Sequence, residues 1–195
     1  MAKIKLNPIF AAMSGKMGNM VIKTSKNGQT YITHCPKKST AAPSEAQVAQ
    51  RQAFRKASNH AKAALADEST RAFYEALAEA NYTTARVVCM GDYMNAPTIE
   101  HLDFSRYNGQ VGDRLLIMTR DDVGVVEVNV KLTRDDGSLI EYGKAFELSV
   151  GSGYWEYATT TPVPLGTGIF ISVEAFDRPG NQATASANPI VVKNQ

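Results

Sequence analysis

The second half of the chain alternates apolar and polar residues, most regularly from Val126 to Leu132. Such alternation has the two-residue period of a strand with one buried face. Further apolar runs follow at short intervals, separated by clusters such as the predicted turn Asp135-Asp136-Gly137-Ser138. The predicted strands cover residues 111–119, 125–133, 139–143, 145–150, 153–157, 169–176 and 183–192. About seven strands in about 90–100 residues are typical of an antiparallel β-sandwich.

The middle of the chain has the period of α-helices. Ser44 and Gln47 fit a capping box, which predicts a helix start. A first apolar stripe then consists of Phe54, Ala57, Ala61, Ala64 and Leu65. After a break at residues 67–69, a second stripe consists of Phe73, Ala76, Leu77 and Ala80. A third helix over residues 85–94 is expected to end before Pro97, because the residue before a proline is biased away from the helical conformation.

The first 43 residues contain a hairpin signal followed by a linker. Asn27-Gly28 supplies the two positive-φ positions of a type I′ turn, and the flanking residues 18–26 and 29–34 are rich in strand formers. Residues 36–43 combine two prolines with small and basic residues, which is typical of a linker. The chain therefore divides into a basic N-terminal arm with a β-hairpin (1–43), a helical unit (44–97) and an all-β sandwich (105–195).

Two resemblances extend this division. Residues 109–113, 122–128, 153–157 and 173–181 resemble bacterial immunoglobulin-like modules, in which an A-x-D-x-x-G-N segment, here Ala175 to Asn181, leads from the penultimate strand into the last. This resemblance covers roughly residues 105–192; it implies an immunoglobulin-like sandwich that serves as a spacer, adhesive or self-associating unit and has no catalytic residues. Residues 14–21 and 43–51 resemble uncharacterised bacterial and prophage-encoded proteins, which implies no activity. The predicted fold class is α+β.

Composition excludes several classes of protein. The chain has 195 residues, of which 44% are hydrophobic and 21% charged, as in an ordinary globular protein of one large or two small domains. No apolar run approaches the roughly 20 residues of a membrane span. The apolar stretch from Ile9 to Met13 is too short for a secretory signal, so we expect no Sec export. We therefore expect either synthesis in the cytoplasm with assembly into a particle, or a surface or extracellular location reached by a non-Sec route.

The net charge of +2 conceals a polar distribution of charge. Residues 1–63 contain eleven Lys and Arg and one acidic residue, Glu45, whereas residues 64–195 contain ten basic and eighteen acidic residues. The first 43 residues alone contain seven lysines and no acid. Such asymmetry is a hint of an interacting arm.

No motif of catalytic chemistry is present. The Gly-x-Ser-x-Gly, Gly-x-Gly-x-x-Gly and Walker patterns are absent, so we predict no catalytic residue, no cofactor and no enzyme. Cys35 and Cys89 form neither a disulfide framework nor a ligand set. Several turn aspartates are candidate calcium ligands, namely Asp121, Asp122, Asp135, Asp136 and Asp177. Because aspartate is common in turns for local reasons, the prediction is that no metal is bound.

Three non-catalytic functions remain. The first is a structural, self-assembling protein of a phage or bacterial particle or a surface filament, which binds copies of itself or other structural subunits. Its assembly residues would be Ile4, Leu6, Ile9, Phe10, Val21, Ile22, Tyr31 and Ile32. The alternative is nucleic-acid binding through Lys16, Lys23, Lys26, Lys37, Lys38, Arg51 and Arg55. The third is a glycan- or surface-binding adhesin-like module that uses Tyr154 and Trp155, although Trp155 is also a candidate for the core.

Overall fold

The structure is a computed structural model that describes residues 2–3, 15–24, 30–35, 41–81, 83–187 and 190–192. The chain forms two compact units, Met1–Ser44 and Glu45–Gln195. The described residues contain three helices and thirteen strands, arranged in three antiparallel sheets.

The first unit is a four-stranded sheet, here called sheet 1. Its strands are β1 (Ala2–Lys3), β2 (Gly15–Met17), β3 (Met20–Thr24) and β4 (Thr30–His34), in the order β1-β4-β3-β2. The pairing of β3 with β4 confirms the predicted hairpin, while its Asn27-Gly28 turn lies outside the described residues. A second hairpin joins β2 to β3, and Gly18 there has φ +59°, which suits a tight turn.

Three helices open the second unit: α1 (Glu45–Ala64), α2 (Glu68–Ala80) and α3 (Ala85–Met94). The first begins directly after Ser44, and the third ends at Met94, before Pro97, as predicted. Ala57 and Ala61 are fully buried in the small core that the three helices share. Their short side chains let helices approach closely, so this core is compact but contains little apolar volume.

Two expected helix faces are wrong in detail. Phe54 is 57% exposed, because α1 has 20 residues against 10 in α3 and its first half extends past the shared core. On α2 the buried residues are Tyr74 and Ala78, whereas Ala76 and Ala80 are exposed. The face of α2 is rotated because the Tyr74 hydroxyl donates a hydrogen bond to Asp92, which brings a polar-tipped ring inside.

The remaining strands form two sheets. In chain order they are β5 (Thr98–Asp103), β6 (Arg114–Arg120), β7 (Val125–Arg134), β8 (Leu139–Lys144), β9 (Phe146–Glu147), β10 (Tyr154–Ala158), β11 (Gly168–Asp177), β12 (Gln182–Ser186) and β13 (Ile190–Val191). Sheet 2 has the order β5-β6-β10-β9. Sheet 3 has the order β12-β11-β7-β8, and β13 also pairs with β11.

Sheets 2 and 3 share one core. Leu115 and Ile117 of β6 lie in the same buried cluster as Val128 and Val130 of β7 and Ile171 of β11. Strands β6 and β11 contribute alternate residues to this core, as the sequence pattern predicts. The α+β class is therefore confirmed, with a hairpin, a helical layer and β-sandwich-like sheets in that order.

Two strands differ from the prediction. No strand is predicted over residues 98–103, where the structure has β5; it is a sheet edge with no fully buried residue, so its apolar pattern is weak. Of the run 145–150, only Phe146 and Glu147 form a strand, because the chain leaves sheet 3 at Lys144 and enters sheet 2 at Phe146.

The N-cap of α2 yields a prediction about stability. Asp67 accepts hydrogen bonds from Ser69 Oγ (2.5 Å) and the Thr70 N–H (2.8 Å), which lower its pKa from 3.8 to about 2. We expect Asp67→Ala to lower the melting temperature at pH 7 by a few degrees. Because the folded-state pKa lies below the unfolded one, this stabilisation is complete above about pH 4 and is lost as the pH falls towards 2. Melting curves from pH 7 to pH 2 should show the difference shrinking.

Glu75→Ala is the control for this cap, because Glu75 is exposed in the interior of the same helix. It should leave the melting temperature unchanged across the range. A difference between Asp67→Ala and the wild type that stays constant with pH would contradict the role of the Asp67 carboxylate.

Candidate functional site

Sheet 1 separates the predicted assembly residues onto two faces. Residues directly opposite each other in neighbouring strands share a face, and successive residues alternate. Ile22 lies opposite Ile32 on one face. Lys23 lies opposite Tyr31 on the other, where Val21 and Lys16 also form a pair. The face that contains Tyr31 is therefore basic, and Lys16 and Lys23 are both exposed on it.

The remaining predicted residues are distributed elsewhere. Arg51 and Arg55 are exposed on the first half of α1, which belongs to the second unit. Seven others lie outside the described residues: Ile4, Leu6, Ile9, Phe10, Lys26, Lys37 and Lys38. Their roles in assembly or nucleic-acid binding stay predictions.

The outer face of sheet 2 exposes a group of large apolar side chains. Phe146 is 76% exposed, and Leu148, Val150 and Tyr154 are also exposed. Leu148 donates its N–H to the Tyr154 carbonyl at 2.8 Å, and Phe146 pairs with Glu156, so Phe146, Leu148 and Tyr154 share one face of the hairpin from β9 to β10. Val150 lies in the turn of this hairpin. We call Phe146, Leu148, Val150 and Tyr154 the hairpin surface.

The hairpin surface continues onto β6 and ends in polar residues. Met118 lies opposite Tyr154, and Leu116 lies opposite Glu156; both β6 side chains are half-buried on the outer face. Arg114 and Glu156 form an ion pair at 3.2 Å beside them. Apolar side chains bordered by charged ones are typical of a protein interaction surface. Sequence reasoning missed this surface because residues 145–150 look like an ordinary strand.

Tyr154 and Trp155 point to opposite sides of β10. Trp155 is buried in the sandwich core and donates its indole N–H to Thr119 Oγ1 at 3.0 Å, whereas Tyr154 is half-exposed. The adhesin-like hypothesis therefore keeps Tyr154 as a contact residue and loses Trp155, which serves the core.

Two of the five turn aspartates meet. Asp121 precedes β7 and Asp177 ends β11, and one oxygen of each lies within 4.8 Å of the other and of an oxygen of Asp92 in α3. Asp135 and Asp136 follow β7 at its opposite end. Asp122 accepts a hydrogen bond from Asn95 Nδ2 at 2.5 Å. Asp92 was missed by sequence reasoning; its signal is a lone acid within the apolar run of the third helix.

Asp92 is the most unusual of these groups electrostatically. Its pKa is raised from 3.8 to about 6: burial is the largest cause, the Tyr74 hydrogen bond opposes it, and the neighbouring charges of Asp121 and Asp177 add to it. Only 1% of Asp92 is exposed. The cause of the raised pKa is thus a buried negative charge with two like charges beside it.

Comparisons with known proteins identify no relative. No family model matches the chain, and no curated protein or solved structure is significantly similar to it. The likeness to immunoglobulin-like modules therefore stays a prediction. Among the described helices, none combines the length and apolarity needed to cross a membrane.

The opposite orientations of Tyr154 and Trp155 can be tested by urea unfolding. Trp155→Ala should lower the free energy of unfolding by about 3–5 kcal/mol, because it empties a packed site and leaves Thr119 Oγ1 without its donor. Tyr154→Ala should change it by no more than about 0.5 kcal/mol. Equal losses in the two variants would contradict this assignment of core and surface.

Proposed function

We propose that this is a non-catalytic structural protein that assembles with further copies of itself or with other structural subunits. Assemblies of this kind include phage or bacterial particles and surface filaments. The observation that carries the proposal is the hairpin surface, which a protein acting alone would leave in water. Burying apolar area contributes roughly 25 cal/mol per Å², so covering four large side chains favours association.

Charge supports contact between different surfaces of two copies. The first unit contains all seven lysines of residues 1–43 and no acidic side chain there, while acidic residues outnumber basic ones in the second unit. Complementary charge favours a head-to-tail contact, and such contacts extend into fibres or lattices when they do not close into a ring. The short edge strands β1 and β2 add backbone groups that another strand can pair with.

Assembly can be measured directly on the full chain. Sedimentation velocity and electron microscopy, at low and high salt and with and without DNA, should show polymers that form without DNA. A protein that stays monomeric over the whole concentration range would overturn the proposal.

The hairpin surface can be tested with a matched pair of substitutions. Leu148 and Leu139 are both 56% exposed, but only Leu148 belongs to the hairpin surface. Leu148→Ser, combined with Phe146→Ser, should weaken self-association by about tenfold or more, since central apolar contacts dominate interfaces. Leu139→Ser should leave association unchanged. If both sets weaken it equally, the hairpin surface is not the contact.

One observation favours nucleic-acid binding as a second candidate. Lys16, Lys23 and Tyr31 share a face of sheet 1, which combines phosphate-binding charge with a ring on which a base can stack. Binding of this kind depends steeply on salt, because each neutralised phosphate releases a counterion.

Fluorescence anisotropy with a labelled DNA, measured over a series of salt concentrations, separates this candidate from assembly. Lys16→Gln with Lys23→Gln should reduce the salt slope by about two if both lysines bind phosphate. Lys131→Gln is the control, because Lys131 is exposed in sheet 3 of the other unit. An unchanged slope in the double variant would exclude this face of sheet 1.

A further inference from the structure

Three carboxylates from separate parts of the chain meet between the helices and the sandwich. Asp92 lies in the last turn of α3, Asp121 in the loop before β7, and Asp177 at the end of β11. One oxygen of each lies within 4.8 Å of one oxygen of each of the others. Asp92 and Asp177 are almost completely buried, at 1% and 2% exposure.

Hydrogen bonds hold each carboxylate in place. Asp92 Oδ2 accepts from the Tyr74 hydroxyl at 2.5 Å. Asp121 Oδ2 accepts from the N–H groups of Val123 (3.0 Å) and Gly124 (2.7 Å). Asp177 Oδ1 accepts from the N–H groups at positions 180 (2.8 Å) and 181 (2.6 Å), and its Oδ2 accepts from the side-chain amide at position 181 (2.7 Å). Such bonds orient carboxylates before a ligand binds.

Two oxygens of this group have no partner. Asp92 Oδ1 and Asp121 Oδ1 are buried and accept no hydrogen bond from the described residues. The ion pairs of the described residues, Arg114–Glu156, Arg120–Glu100 and Lys144–Glu127, involve none of the three aspartates. The positive charge of Arg178 lowers the pKa of Asp92, but Arg178 forms no ion pair with it. The Arg178 guanidinium lies over the Phe73 ring, 4.0 Å from the ring centroid.

Buried carboxylates in this position need a positive partner. A buried charge is costly unless it is paired or binds a metal, and three like charges at this distance repel one another. Calcium prefers oxygen ligands at about 2.3–2.6 Å in flexible geometry, so two oxygens on one ion lie at most about 5 Å apart. The separations of up to 4.8 Å here fit that limit.

We propose that Asp92, Asp121 and Asp177 bind one calcium ion, which links α3 to the loop before β7 and to the end of β11. The unpartnered Oδ1 atoms of Asp92 and Asp121 are the ligands, together with one oxygen of Asp177. The ion neutralises the mutual repulsion and joins the helical layer to the sandwich. This inference is independent of the proposed assembly.

The test uses the full chain, first treated with a chelator and then titrated with calcium chloride. Calorimetry should show one ion per chain, and the melting temperature should rise with calcium concentration, because a ligand of the folded state alone stabilises it. No heat and no rise up to millimolar calcium would overturn the proposal. An equal response to magnesium chloride would overturn the assignment to calcium.

Substitutions locate the site. Asp92→Asn and Asp121→Asn preserve side-chain size and remove one charge each, and each should weaken calcium binding by about tenfold or more. Asp136→Asn is the control, since this exposed aspartate follows the opposite end of β7. Melting curves in chelator show that each variant is folded. Wild-type affinity in both site variants, or an equal loss in Asp136→Asn, would place the ion elsewhere.

Discussion

The contact between the end of α3 and the turn after β11 is the interaction on which the second unit depends. Asn181 Nδ2 donates to the carbonyls of Asp92 (3.2 Å) and Tyr93 (3.3 Å), two of the groups that a helix end leaves without partners. Val123, in the loop before β7, packs against the helical core. Because the buried residues of that core are only two alanines, Tyr74, Cys89 and Met90, the helices bury too little apolar area to be stable apart from the sandwich.

This attachment determines which surfaces of the second unit remain available. The helical layer covers the sandwich end formed by the loops after β6 and β11, and sheets 2 and 3 cover each other's inner faces. Within the described part of the second unit, no element covers the outer face of sheet 2 in this way, although Leu116 and Met118 on it are apolar. The core of the sandwich is already packed by the inner faces of its sheets. Packing within the sandwich therefore does not explain why the outer side chains of β9 and β10 are apolar.

An element can be predicted from the sequence when residues close to it in the chain determine it. Helix starts and ends depend on local signals such as the Ser44–Gln47 capping box and Pro97, and strands of the core depend on alternation, so both could be predicted from the sequence. The edge strand β5 could not, because it buries too little to need a pattern. The role of Asp92 could not be predicted either. Asp92 accepts a hydrogen bond from Tyr74, which is 18 residues away, and no local sequence pattern connects the two. Sites assembled from distant segments require the tertiary structure.

The segment from Asp177 to Asn181 shows how one turn serves two purposes. Within the sandwich, Asp177 accepts three hydrogen bonds from its own loop and thereby closes the connection to β12. The same loop presents the Asn181 amide to α3 and brings the Asp177 carboxylate next to Asp92. The first role explains why an aspartate begins this turn, since any sandwich strand connection can use it. Only the contact with α3 requires a helix packed against the sandwich. That contact buries the carboxylates of Asp177 and Asp92 next to each other, whereas a turn without the helix would leave the Asp177 carboxylate in water.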